Sequence, residues 1–178
     1  DPELADWDGL GFVLQAYSKR APLVVDWLVE LGRDAGRRLM VRLVKGAYWD
    51  TEIKLAQEEG YADYPVYTRK ANTDLSYQVC ASKLLQAQDA VYPQFATHNA
   101  HTAALVLELA RGKQFEFQRL HGMGDLLHMQ LAKGQQSVPV RVYAPVGAHR
   151  DLLPYLVRRL LENGANSSFI NHLFDESI

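Results

Sequence analysis

The sequence predicts an α/β fold in which strands alternate with helices. Three observations carry that expectation. Five short apolar, β-rich runs are each followed by a segment with helical spacing. No tandem hairpins interrupt the alternation, which argues for a parallel sheet covered by helices. Polar or charged side chains also stand at or just past the end of every strand: Gln15, Arg42 with Lys45, Thr97 with His98, Gln118 with His121, and Tyr143. An open doubly wound sheet gathers its ligand groups in a few switch-point loops. A (βα)8, TIM-like barrel carries them at the ends of many successive strands, and the distribution here favours the barrel. Five units cannot close eight strands. Residues 1–178 are therefore expected to be a single domain supplying part of a barrel, or else the sheet is open.

The elements follow from local pattern. Leu10 to Tyr17 is a short apolar run opened by Gly9, and reads as the first strand. Ala21 to Arg33 is a helix: Val24, Val25, Leu28, Val29 and Leu31 recur at helical spacing, Pro22 suits the first turn and Gly36 can stop it. Leu39 to Val44 is β-rich and Gly46 ends it. Thr51 to Glu58 and Asp74 to Gln86 read as helices, separated by a loop, Gly60 to Thr73, that holds Pro65 and has little period. Val91 to Thr97 is a strand despite Pro93, and His101 to Ala110 a helix. Phe115 to Leu120 alternates and meets the turn His121-Gly122-Met123-Gly124, after which Asp125 to Leu131 is a short helix. Val138 to Ala144 is the fifth strand, and Asp151 to Leu161 a helix closed by Asn163-Gly164. The polar residues after it are expected to fray.

Composition narrows the class. Hydrophobic residues make up 48% and charged residues 22%, as in an ordinary globular domain. Nineteen Lys and Arg against 21 Asp and Glu leave a net charge of −2, which gives no electrostatic case for nucleic acid. One cysteine, Cys80, excludes an internal disulfide framework and fits a reducing compartment. No apolar run approaches the roughly 20 residues that span a bilayer. The start, Asp1-Pro2-Glu3-Leu4, lacks a signal-peptide layout and an initiator Met, so the chain reads as processed, cut or incomplete.

Several residues could carry chemistry. An Arg and a Lys in the apolar run RLVKGAYWD are costly unless each finds a partner. Arg42 and Lys45 have opposite strand parity, so they share a site only if the strand ends or bulges near Val44. They read either as one structural Arg and one snorkelling Lys, or as cations facing an anionic or electron-rich ligand, with Gly46 allowing close approach. His98 and His101 have a spacing that could suit a metal, but no acidic or Cys partner completes the set, so no metal is expected. His98 reads as a hydrogen-bond donor to a cofactor or as a satisfied core histidine. Arg158 and Arg159 are adjacent, and neighbouring helical positions point about 100° apart. They form a solvated basic face, unless the helix crosses a pocket; then two guanidinium groups clamp a carboxylate, with Glu162 placed to orient Arg159.

The segments GFVLQAY, RLVKGAYWD, YPVYTRK, YPQFATHNAH, FEFQRLHGMG, RVYAPVGAH and YLVRRLLENGAN occur in this order. Together they resemble the proline dehydrogenase domain of bacterial proline utilisation A proteins, over about Gly9 to Asn171. The resemblance implies the last five βα units of a FAD-binding (βα)8 barrel, with the final helix lying over the strand ends. It implies oxidation of L-proline to Δ1-pyrroline-5-carboxylate, hydride passing to flavin N5 and electrons then to a membrane quinone. Gln15, Arg42, Lys45, Gly46, Thr68, Thr97, His98 and Glu162 match family positions around FAD. Tyr48, Tyr143, Tyr155, Arg158 and Arg159 match positions around proline. Arg42, Tyr143 and the two arginines are thereby the catalytic candidates. It further implies a fused aldehyde dehydrogenase domain, and a cytoplasmic protein, peripheral at the inner membrane face.

Two other classes compete. A Schiff-base lyase of the aldolase kind would use Lys45 as its nucleophile at a strand end. A barrel fragment with no activity of its own would keep only part of the fold.

Overall fold

The computed structural model describes residues 7, 9–134 and 137–166, with side chains to residue 161. Five strands form one sheet, in the order β1 (Gly11–Gln15), β2 (Leu39–Val44), β3 (Val91–Ala96), β4 (Glu116–Leu120), β5 (Val140–Tyr143). Every neighbouring pair is parallel. Spatial order follows chain order with no reversal, so no switch point exists within the sheet. Right-handed crossovers then place successive helices on the same face, which is the winding of a (βα)8 barrel. The five units make an arc of such a barrel.

Alternation along β2 separates the two faces. Leu39, Val41 and Leu43 are buried towards the helices, while Met40, Arg42 and Val44 face the other way. The register carries this division across the sheet, because Val13 pairs with Arg42, Arg42 with Gln94, and Gln94 with Glu116. The core lies on the outer face, against α1 (Ala21–Asp34), α3 (Lys70–Gln86) and α4 (Ala100–Ala110). Leu28, Leu84, Leu85, Val106, Phe95 and Phe117 are almost wholly buried there. Each such side chain contributes about 2 kcal/mol by leaving water.

The other helices are α2 (Trp49–Glu58), α5 (Asp125–Lys133) and α6 (His149–Asn166). Several helices run beyond their expected ends. The third helix starts at Lys70, one turn before Asp74. That first turn is exposed and polar, so it has no apolar period to read, and a Lys70–Asp74 ion pair of 2.6 Å holds it. The second begins at Trp49, not Thr51, with Asp50 and Glu52 in its first turn. The sixth runs from His149 through Asn163-Gly164, the expected stop, to Asn166. A glycine inside a helix costs only about 1 kcal/mol, which propagation from a long helix offsets. The residues expected to fray lie outside those described.

The segment from Gly60 is not a bare loop either. Tyr67 N–H bonds to Tyr17 O at 2.8 Å, Lys19 N–H bonds to Pro65 O at 3.0 Å, and Val66 is buried. It is thus strapped onto the chain leaving β1. No described helix is long and apolar enough to cross a membrane.

Candidate functional site

The expected site residues gather at the C-terminal ends of the strands, in three neighbouring groups. On the inner face of the arc, Arg42 points away from the helices. Its Cζ lies 4.6 Å from the centre of the Tyr143 ring on β5. Arg42 Nε is buried with no hydrogen-bond partner. A cation over an aromatic face is favourable, but an unmet buried donor is costly, so the position suits an incoming acceptor. Gln15 shares this face, because it pairs with Val44.

Strand β2 ends at Val44, which frees Lys45 from strand parity. Lys45 Nζ donates to Asp74 Oδ1 at 2.6 Å, and Lys70 Nζ donates to Asp74 Oδ2 at 2.6 Å. Burial pushes the Lys45 amine below its usual value, against the pull of Asp74. Burial works to raise the Asp74 carboxyl, but the hydrogen bonds from Lys45 and Lys70 outweigh it and leave it below the usual value. Gly46 sits at φ +129°, and a Cβ there would meet the Tyr17 ring at 2.5 Å. What the glycine accommodates in this structure is therefore an aromatic side chain. Burial and Glu52 push the Tyr17 hydroxyl up to about 12, so it stays protonated.

These residues line a cavity of about 430 Å³ that includes Lys45, Gly46, Tyr48, Thr68, Asp74 and Arg158. At its rim, Arg158 Cζ and Arg159 Cζ lie 5.5 and 5.4 Å from the centre of the Tyr48 ring. Arg159 is also 5.3 Å from the Tyr155 ring. The two guanidinium groups therefore converge on one tyrosine although their helical positions diverge. The side chain of Glu162 lies outside the described residues.

The third group joins β3, β4 and α5. Thr97 Oγ1 accepts from Asn99 N–H at 3.1 Å, and His98 Nε2 accepts from Leu120 N–H at 3.0 Å. A neutral His98 thus carries its proton on Nδ1. His101 is exposed on α4. His128 is buried behind this pair, with Nε2 2.9 Å from Thr97 O. Burial pushes its ring below the usual value. Gly124, at φ +64°, leaves the space between the two histidines: a Cβ would meet each ring at 3.2 Å.

Sequence reading missed Asp74, His128 and Trp49. Asp74 pairs with a lysine 29 positions away, which no local pattern reveals. His128 is the one fully buried residue of a short helix whose apolar residues are largely exposed, so no apolar stripe marks its buried side. Trp49 caps the cavity wall by donating from Nε1 to Tyr67 O at 2.8 Å. Its position directly after Tyr48 was the one available signal.

Comparison with known proteins identifies the family and the fold. The family described as proline dehydrogenase matches residues 1–172. The bifunctional protein PutA of Escherichia coli strain K12 is 59% identical over all of this chain, which covers 14% of the relative. Proline dehydrogenase 2, mitochondrial, of Arabidopsis thaliana is 31% identical over 90% of the chain and 37% of the relative. A crystal structure of Bradyrhizobium japonicum proline utilization A, mutant D778Y, superimposes with a TM-score of 0.87 at 63% identity, over 99% of this chain and 18% of that one. The chain thus spans a minor part of the length of these relatives. With its sequential parallel strands and its cations at the strand ends, it belongs to the proline dehydrogenase family.

Proposed function

We propose that this chain is the distal part of a proline dehydrogenase barrel within a longer protein, and that it serves the oxidation of L-proline to Δ1-pyrroline-5-carboxylate. One observation carries the reading: Arg158 and Arg159 converge on Tyr48 at the rim of a strand-end cavity. Two guanidinium groups at one point suit a carboxylate, and an aromatic ring between them suits an apolar substrate ring. Tyr155, beside Arg159, would extend that apolar wall, and Tyr143, which stacks on Arg42, joins the substrate set through the resemblance.

The residues also fit FAD. Arg42 presents a buried Nε with no hydrogen-bond partner. Lys45 is a second cation, and Gln15, Thr68, Thr97 and His98 are polar groups around the same strand ends. When bound, FAD supplies the acceptor for the hydride that leaves proline. Arg42 would place positive charge and a donor beside the ring system, stabilising the negative charge that reduction brings. Glu162 joins the cofactor set through the resemblance alone. Helix α6 would lie over the strand ends, holding its arginines above the substrate and excluding water.

The relatives' greater length and the word bifunctional in the name of the Escherichia coli protein support a fused second enzyme, an aldehyde dehydrogenase that would take the product onward. We assign the final electrons to a membrane quinone and place the protein in the cytoplasm, peripheral at the inner membrane face. Residues 1–178 would form a single domain together with the strands that complete the barrel. The Schiff-base alternative would need Lys45 free of Asp74, with which it is bonded at 2.6 Å. The test is product formation by the full-length protein: Δ1-pyrroline-5-carboxylate should accumulate from L-proline with an artificial electron acceptor. Trapping of a substrate on Lys45 by borohydride, without that product, would point to the lyase.

A further inference from the structure

Beside Arg42, the inner face of the sheet carries a carboxylate at the same level. The register places Gln94 opposite Arg42 and Glu116 opposite Gln94. Glu116 is therefore two strands from Arg42 on the same face, a backbone separation of about 10 Å that an extended Arg and Glu bridge together. A buried carboxylate and a half-buried guanidinium with a spare buried Nε attract strongly where water is excluded. Yet Arg42 lies over Tyr143, not on Glu116.

Glu116 is already saturated. Arg141 grips it with two bonds, Nε to Oε1 at 2.8 Å and Nη2 to Oε2 at 3.0 Å. The Gln94 and Gln118 side chains each donate to Oε1 at 2.8 Å. Gln94 stands between Arg42 and Glu116 in the register. Glu116 is 4% exposed.

We infer that Arg141 is a positioning residue: by closing off Glu116 it keeps that carboxylate from capturing Arg42, and so leaves the Arg42 guanidinium available at the strand ends. This rests on the reading of Arg42 as the cation beside the flavin. Without Arg141, Glu116 would be left as a buried charge with only neutral donors. Arg42 stands at the same register level two strands away on the same face, and moving to Glu116 would take its charge away from the ligand.

The test uses the full-length, flavin-loaded protein and reads the flavin midpoint potential, with the rate of flavin reduction by L-proline as a second readout. Arg141→Met should shift the potential negative and slow reduction roughly tenfold or more, as for a lost charge-assisted bond. Glu116→Gln alone should stay near the parent. The double variant Glu116→Gln/Arg141→Met should recover, since no carboxylate is left to take Arg42. A parental potential in Arg141→Met overturns the proposal, and so does a double variant as impaired as the single. Should Arg141→Met fail to fold, Arg141→Lys replaces it: a partial negative shift, reversed by Glu116→Gln, is expected, and no shift overturns the proposal. Arg42→Met, measured alongside, separates the two readings. If it keeps the parental potential, the placement of Arg42 at the flavin fails and the proposal falls with it. If it shifts while Arg141→Met does not, only the role of Arg141 fails.

Discussion

The guanidinium of Arg42 on β2 stacks on the ring of Tyr143 on β5, three strands away, at 4.6 Å from Cζ to ring centre. Strands that far apart in a flat sheet would be about 14 Å from each other. Contact across that span means that the inner face is concave and that the two side chains reach over it. The pair ties the second unit to the fifth, and sets a cation at the centre of the strand ends.

Replacing that cation should change the electronics of a bound flavin more than the binding of substrate. Arg42→Met is expected to destabilise the reduced flavin by about 1–3 kcal/mol, the range of a lost charge-assisted bond. The flavin midpoint potential of the full-length protein checks this. An unchanged potential would make Arg42 a structural partner of Tyr143.

Lysine should be a poor substitute at the two adjacent arginines. It keeps the charge but loses the planar fork and the stacking on Tyr48. Arg158→Lys or Arg159→Lys should raise the KM for proline by roughly tenfold or more, with flavin content unchanged. Competitive inhibitors that lack a carboxylate should lose far less affinity. Equal losses for both inhibitor types would mean that the arginines act only through the placement of α6.

Gly46 should tolerate no side chain. Its φ of +129° and the 2.5 Å approach of a Cβ to the Tyr17 ring both oppose alanine. Gly46→Ala should cost about 1–3 kcal/mol of stability, read by chemical denaturation. Combining it with Tyr17→Ala should relieve the clash but not the backbone strain, so recovery should be partial.

His128 should make the fold acid-sensitive. Burial holds its ring below the usual 6.5 in the folded state. The unfolded chain therefore binds more protons just below that pH, and stability falls as pH drops through the window under 6.5. His128→Gln keeps a donor for Thr97 O and removes the titration. Urea denaturation at about pH 7 and pH 5.5 should show a smaller acid loss in the variant than in the parent.

The strands were legible because apolar alternation and β-rich runs survive in the sequence. The helix starts were less so. Lys70 to Thr73 is mostly polar and exposed, and its ion pair with Asp74 shows what holds it helical. Arg42 and Lys45 stood out as charges in an apolar run, but their partners are distant in sequence: Tyr143 comes from the fifth unit, and Asp74 from the second helix after β2. The convergence of Arg158 and Arg159 on Tyr48 depends on the path of α6, which adjacent positions in a helix do not specify. Glu116 and Arg141 read locally as ordinary surface charges, since their pairing follows from the register of β4 against β5.

The most direct measurement is the visible absorption spectrum of the purified full-length protein, taken before and after L-proline is added without oxygen. A flavin spectrum that bleaches on adding L-proline, and not D-proline, is the expected result. Protein without flavin absorption, or a flavin that L-proline leaves oxidised, would contradict the assignment of these strand ends to proline oxidation.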